Sequence, residues 1–181
     1  MKWITLSLVV FVALVCLIVA ATPSADDAAD SIAAGKLPNG YRDWRLISVA
    51  REEGTLDDIR AVLGNDVAIN AYRDAKPPFP DGTIIARLAW SLDASDENNK
   101  TFGKAQSFVA GHPKNGVQFM VKDSKRFPET NGWGYATFTY DASSDTFKPA
   151  TTNAAFALGC HGCHTAGAKV RDFVFTNYAK R

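Results

Sequence analysis

Cys160-His161-Gly162-Cys163-His164 is the stretch of this chain with the clearest chemistry. Two thiols separated by two residues, with a histidine directly after, form the pattern that attaches a c-type haem. On a helix the two cysteines stand one turn apart, so both can add to the vinyl groups of one haem. The adjacent His164 then reaches the iron as its axial ligand. Two other uses of these residues compete with this one. A thioredoxin-like redox or disulfide pair usually opens a helix after an early strand, whereas this pair sits near the end of the chain. A zinc site would need Cys160, Cys163 and His164 with His112 or His161, and no second Cys-x-x-Cys or His pair supports it. Covalent haem c, with its iron, is the favoured reading. Thr152-Asn153 followed by Ala154-Ala155-Phe156-Ala157-Leu158 predicts a short, capped helix that presents the motif.

The other end of the chain bears on the compartment. Lys2 precedes an almost wholly apolar run from Ile4 to Ala20, and Val19-Ala20-Ala21 offers small residues for cleavage before Thr22. Residues 1–21 therefore read as a secretory signal peptide. An uncleaved anchor is the alternative, and the apolar run is slightly short for a span. Cys16 follows Val15, a poor fit to a lipoprotein site. Export combined with a haem-attachment motif points to the bacterial periplasm. Without residues 1–21 the chain carries 19 Lys+Arg against 19 Asp+Glu, a balance unlike that of a nucleic-acid binder. Cys160 and Cys163 are then its only cysteines, so haem attachment leaves none for a structural disulfide.

The elements that must position the motif are mostly strands. Residues 22–40, rich in Ala, Asp, Gly and Pro, are expected as a linker, with a frayed helix over Ser24–Ala34 as the alternative. Strands are predicted over Trp44–Ala50 and Ile59–Leu63, followed by a helix from Val67 to Asp74 that Pro77, Pro78 and Pro80 stop. Thr83–Leu92 is the clearest strand, with Ile84, Ala86, Leu88, Trp90 and Leu92 on one face and Ile85, Arg87, Ala89 and Ser91 on the other. Arg87 thus stands among small and apolar neighbours. Asp93–Lys100 reads as a polar loop. Ala105–Ala110 and Val117–Lys122 read as a strand pair across 111–116. Trp133–Tyr140 is a further strand, with a turn at Asp141–Asp145. Strands without βαβ alternation imply an α+β domain, mainly antiparallel sheet with a few helices.

Several stretches carry a resemblance. Tyr41-Arg42-Asp43-Trp44, Phe79-Pro80-Asp81-Gly82-Thr83, Val121 to Phe127, Gly132-Trp133-Gly134, Cys160 to His164 and Asp172 to Thr176 run in order across residues 41–178. Together they resemble the cytochrome P-460 family, which includes the cytochromes c′-beta. The resemblance implies a haem domain over 41–181, commonly a homodimer, with His164 as the single axial ligand. The P-460 enzymes link a lysine to the haem and oxidise hydroxylamine. The c′-beta members lack that link and bind nitric oxide or carbon monoxide in an apolar pocket. By this alignment the linking lysine is replaced here by Arg87, and a carboxylate position by Gln118. Both departures count against hydroxylamine oxidation.

Two functions of different class remain. One is a ligand-binding or catalytic protein with an open iron position. The other is an electron-transfer cytochrome with both axial positions filled, working with a redox partner cytochrome. Besides His164, the ligand candidates are His112, His161, Met120 and lysines. His161 is held too close to the attachment point to reach the opposite face, His112 reads as a surface residue, and Met120 reads as core. The open position is therefore favoured. Phe79, Phe102, Phe119, Trp133 and Phe138 are candidates for an apolar wall facing it, a lining that suits neutral diatomic ligands.

Overall fold

A computed structural model describes residues 24–75, 77–151 and 154–180. The expected signal peptide and the cap residues Thr152 and Asn153 lie outside the described residues. Six strands, β1 (Arg45–Glu52), β2 (Asp58–Gly64), β3 (Ile84–Ala94), β4 (Phe108–Lys122), β5 (Trp133–Asp141) and β6 (Thr146–Thr151), form one antiparallel sheet in sequence order. Four α-helices flank it: α1 (Ala25–Ala33), α2 (Asp66–Asp74), α3 (Asp96–Phe102) and α4 (Ala154–Ala168). The fold is α+β and mainly sheet, as the strand-rich pattern implies.

Alternation along the strands divides the molecule. Leu63, Ile84, Ala86, Leu88, Val117, Phe119, Val121 and Phe138 point to one face and form its core with Tyr41. Helix α1 closes this face through buried Ala28 and Ile32. Each fully buried side chain of the Ile or Phe type contributes about 1.5–3 kcal/mol. On the opposite face, Val62 and Ile85 join Ile47, Ala68, Ile69, Trp133, Phe173 and Val174. This second core covers only one end of its face. The other end, where Arg60, Arg87 and Gln118 stand, borders a cavity.

Four local expectations are corrected. The stretch expected as a linker contains helix α1, because Ser24 and Asp27 form a reciprocal capping box and Ala28 and Ile32 supply an apolar stripe. The polar loop expected at Asp93–Lys100 is the end of β3 followed by α3, which has no buried residue and so lacks an apolar signal. The strand pair expected across 111–116 is one bent strand, β4, with its register against β3 shifted on both sides of Trp90. Asn115 and Gly116 take positive φ there, and a Cβ on Gly116 would stand 2.0 Å from the Phe138 carbonyl oxygen. That backbone needs a glycine. Strand β6 follows the Asp141–Asp145 turn and was not anticipated.

Candidate haem site

Helix α4 carries Cys160, Cys163 and His164 at positions i, i+3 and i+4, which share one helical face. All three line a cavity of about 710 Å³ between α4, the exposed end of the sheet face and the segment after α4. Both thiols are free. Burial pushes the Cys160 thiol above its ordinary value, with a smaller contribution from Cys163.

The histidine is oriented by the segment that follows. Its Nδ1 lies 2.6 Å from the Phe173 carbonyl oxygen. A carbonyl only accepts, so Nδ1 carries the proton and Nε2 is left as the lone-pair nitrogen. This is how a metal-ligating histidine is usually held. Burial lowers the His164 pKa, against a smaller opposing effect of that hydrogen bond, which favours the neutral form a metal needs. The ring is packed edge-on by Tyr135, centroids 5.1 Å apart, and by Phe175 at 4.8 Å.

Phe173 can offer its carbonyl because Asp172 and Phe173 both take positive φ and turn the chain back over α4. Asp172 anchors the turn. Its carboxylate accepts from Lys122 Nζ at 3.0 and 3.1 Å and from the Phe79 backbone N–H at 2.9 Å. Both ionic side chains are nine-tenths buried. Lys122 also donates to the Asn131 carbonyl and sits over the Trp133 ring. Gly167 completes the arrangement, since a Cβ there would stand 2.4 Å from the Phe175 ring.

His161 faces away from this role. Its Nε2 pairs with Asn131 Oδ1 at 3.0 Å and its Nδ1 with Tyr135 Oη at 3.1 Å. The amide oxygen accepts, which puts the proton on Nε2 and makes the tyrosine the donor to Nδ1. The residue is buried, not solvent-facing. His112 bonds Ser91 Oγ on the sheet. Neither can join the cysteines around a zinc ion, and among the described residues no cluster of three or more His, Cys, Asp or Glu is placed to hold a metal.

Arg87 and Gln118 are direct cross-strand partners, and Arg87 donates to Gln118 Oε1 at 3.2 Å. Both line the cavity, as do Ile85, Val62 and Met120. Arg87 and Gln118 are therefore one hydrogen-bonded unit. Arg87 is further held by Asp58 Oδ2 at 2.6 Å. Burial pushes the Arg87 guanidinium below its ordinary value, the Arg60 charge adds to that, and Asp58 opposes both.

Of the anticipated aromatic wall, Phe119 alone is among the residues lining the cavity, and its ring packs on the other face. Phe138 and the ring of Phe119 pack in the core of the other face, Phe119 against Tyr41, Trp44 and Phe138. Phe79 and Trp133 pack on each other in the second core. Phe102 is solvent-exposed on α3. Period-2 alternation sends Phe119 away from the side that receives Gln118 and Met120. The cavity surface is instead mixed, with Val62, Ile85 and Met120 beside Arg87, Gln118 and Thr137.

These residues fit a covalently attached haem. Two free thiols and an oriented imidazole lie on one helical face and line one cavity. Cys160 and Cys163 would hold the macrocycle and His164 the iron. Comparison with curated proteins gives no match. The profile of the family described as Cytochrome P460 matches residues 38–176, most of the chain. The chain thus belongs to the cytochrome P-460 family, whose members bind c-type haem with its iron.

Proposed function

We propose that this chain is a periplasmic monohaem cytochrome c that binds or converts a small nitrogenous ligand, nitric oxide before hydroxylamine, at an open iron position. In this reading Cys160 and Cys163 form the thioethers and His164 is the axial ligand. The observation that carries it is the His164 Nδ1–Phe173 hydrogen bond, which commits Nε2 to a metal inside a cavity of ligand size. The haem supplies an iron with a position for a diatomic or nitrogenous ligand. The chain does the rest. His164 would hold the iron through Nε2, the Arg87–Gln118 pair would offer hydrogen bonds to a polar ligand, and Val62 and Ile85 would give the site apolar walls. Carbon monoxide is a convenient probe of the same position. Hydroxylamine oxidation is disfavoured because Arg87 stands where the linking lysine would be. The signal peptide and homodimerisation belong to this reading as well.

The alternative is an electron-transfer cytochrome with a redox partner, and one observation favours it: Met120 lines the same cavity as His164. Against it, Met120 packs on the second core, the apolar body that also holds Phe173 and Val174. Spectroscopy of the ferrous haem protein separates the two. A high-spin, five-coordinate spectrum that shifts with carbon monoxide or nitric oxide, lost in His164→Ala and kept in Met120→Leu and His112→Ala, supports the open position. A low-spin spectrum abolished by Met120→Leu overturns it.

A further inference from the structure

One charged cluster in the cavity is not used by the ligand set. Asp58 on β2 is completely buried, yet its carboxylate faces two guanidiniums. Arg60 donates Nε–H to Oδ1 at 2.8 Å, Arg87 donates to Oδ2 at 2.6 Å, and the Asn115 amide donates to Oδ2 at 2.7 Å. Arg60 and Arg87 both line the cavity. The terminal NH2 of Arg60 also lies 2.7 Å from Oδ1, so this carboxylate holds the guanidinium through two nitrogens. The second carboxylate nearby, Glu52, is half exposed and reaches only the Arg60 NH1 at 3.4 Å. Two guanidiniums fixed on one buried carboxylate therefore border the cavity, with Glu52 also on its lining.

The position of the cluster matters. On this sheet face, Met120 and Tyr135 form the row next to His164, Arg87 and Gln118 form the next, and Arg60 lies beyond them on β2. The cations therefore stand away from the cysteine end. In a haem the vinyl groups that take the thioethers and the two propionates lie on opposite edges.

We propose that Arg60 and Arg87, fixed by Asp58, form an anion-receiving site in the haem cavity that takes a carboxylate or a small planar oxyanion. The guanidinium fork matches two coplanar oxygens, which gives the site its selectivity over a neutral ligand. The carboxylate source is a propionate of the attached haem, and the free source is an anion such as nitrite. Asp58 is a positioning residue. It touches neither source and acts by holding both forks in place. The proposal rests on the haem reading above; its propionate arm does not need the iron to have an open position, whereas its nitrite arm does.

Arg60→Gln and Arg87→Gln, made singly in the haem-loaded protein, test it. Each leaves Asp58 one guanidinium and Asn115, so the buried carboxylate keeps partners. If the site takes free anion, nitrite affinity of the ferric protein, followed by absorption, falls at least about tenfold in each variant, while in Arg60→Gln the carbon monoxide affinity of the ferrous protein changes less than about threefold, since a neutral ligand makes no charge-assisted bond there. If it takes a propionate, nitrite affinity is unchanged and the propionate bending band in the resonance Raman spectrum shifts in each variant. No change in either measurement overturns the proposal. A crystal structure of the wild-type haem protein soaked in nitrite gives an answer without a variant. A propionate or nitrite oxygen within about 3.2 Å of an Arg60 or Arg87 nitrogen supports the site, and its absence from both overturns it. Failure to bind carbon monoxide with haem attached would count against the open position alone.

Discussion

Asp172→Ala is expected to damage both the fold and the haem ligand, through one buried ion pair. The substitution removes the acceptor of three hydrogen bonds, two from Lys122 and one from the Phe79 backbone. It leaves the Lys122 ammonium nine-tenths buried with only the Asn131 carbonyl and the Trp133 ring as company. Breaking a buried pair by removing one partner costs about 3–5 kcal/mol. At about 2–4 °C per kcal/mol for a domain of this size, Tm falls on the order of 10 °C. The same change frees the positive-φ turn at 172–173 and with it the carbonyl that receives His164 Nδ1. The imidazole becomes a poorer donor to iron, and the iron–histidine stretching band of the ferrous protein moves to lower frequency. Thermal unfolding by circular dichroism and resonance Raman on the same samples measure the two effects. The double variant Lys122→Met with Asp172→Leu should recover most of the lost stability, because neither charge is then stranded, but not the Raman band. A Tm within about 2 °C of wild type in Asp172→Ala, or a band that does not move, would refute the link between the ion pair and the ligand.

Gly167→Ala drives a Cβ into the Phe175 ring. Overpacking of this kind costs about 1–3 kcal/mol, and the ring leaves the edge of His164, so a lower Tm should come with a broadened ferrous haem spectrum. Peptide mapping of the haem protein should find haem on Cys160 and Cys163 alone, with an ordinary c-type Soret band. No lysine is among the residues lining the cavity and Lys122 is committed to Asp172, so a haem peptide joined to a lysine or to Arg87 would return the chain to the hydroxylamine-oxidising class. Asp81 accepts from the Ser124 hydroxyl and backbone N–H, which hold its carboxyl below the ordinary 3.8. A depressed carboxylate contributes stability above its ordinary value and loses it as pH falls through the lower folded one. Urea titrations from pH 7 to pH 3 should therefore show Asp81→Asn less stable than wild type at pH 7 and the difference shrinking below about pH 4.

Much of the frame was legible because it rests on local signals. The alternation Ile84, Ala86, Leu88 against Ile85, Arg87, Ala89 placed Arg87 on the correct face of β3. The spacing of Cys160, Cys163 and His164 gave their common helical face. What failed had its cause in distant contacts. Phe119 and Phe138 are apolar and near the motif's partners in the fold, but only the strand register sends them to the other core. Helix α3 has no buried residue, so no periodicity announces it. The kink in β4 sits at His112–Gly116, where Gly and Pro look like a turn and the pairing with β3 on both sides decides otherwise. Asp58 is a lone acidic residue next to Asp57 in the sequence. Its burial follows from Arg60, Arg87 and Asn115 arriving from three strands. Lys122 and Asp172 lay within the stretches that carried the family resemblance, but their pairing spans fifty residues and no spacing announces it.

Arginine rather than lysine at position 87 changes the chemistry of the cavity. A lysine at this position can lose its proton and act as a nucleophile. A guanidinium remains protonated and is a poor nucleophile. Its five donors need acceptors, however, and a cavity wall of Val62, Ile85 and Met120 supplies none. The strands on either side of β3 do. Gln118 from β4 gives an amide oxygen and Asp58 from β2 gives a carboxylate. A carboxylate at 118 would add a second anion to Arg87 and neutralise it fully. An amide accepts one hydrogen bond and leaves the charge. Arginine at 87 and glutamine at 118 thus make physical sense as a pair: together they keep an unreactive, fixed cation facing the cavity, where a lysine and a carboxylate would make a reactive amine beside a proton acceptor. Changing either alone breaks this logic. Gln118→Glu should quench the charge of Arg87 and, where the site takes free anion, lower nitrite affinity as Arg87→Gln does, although the arginine is still present.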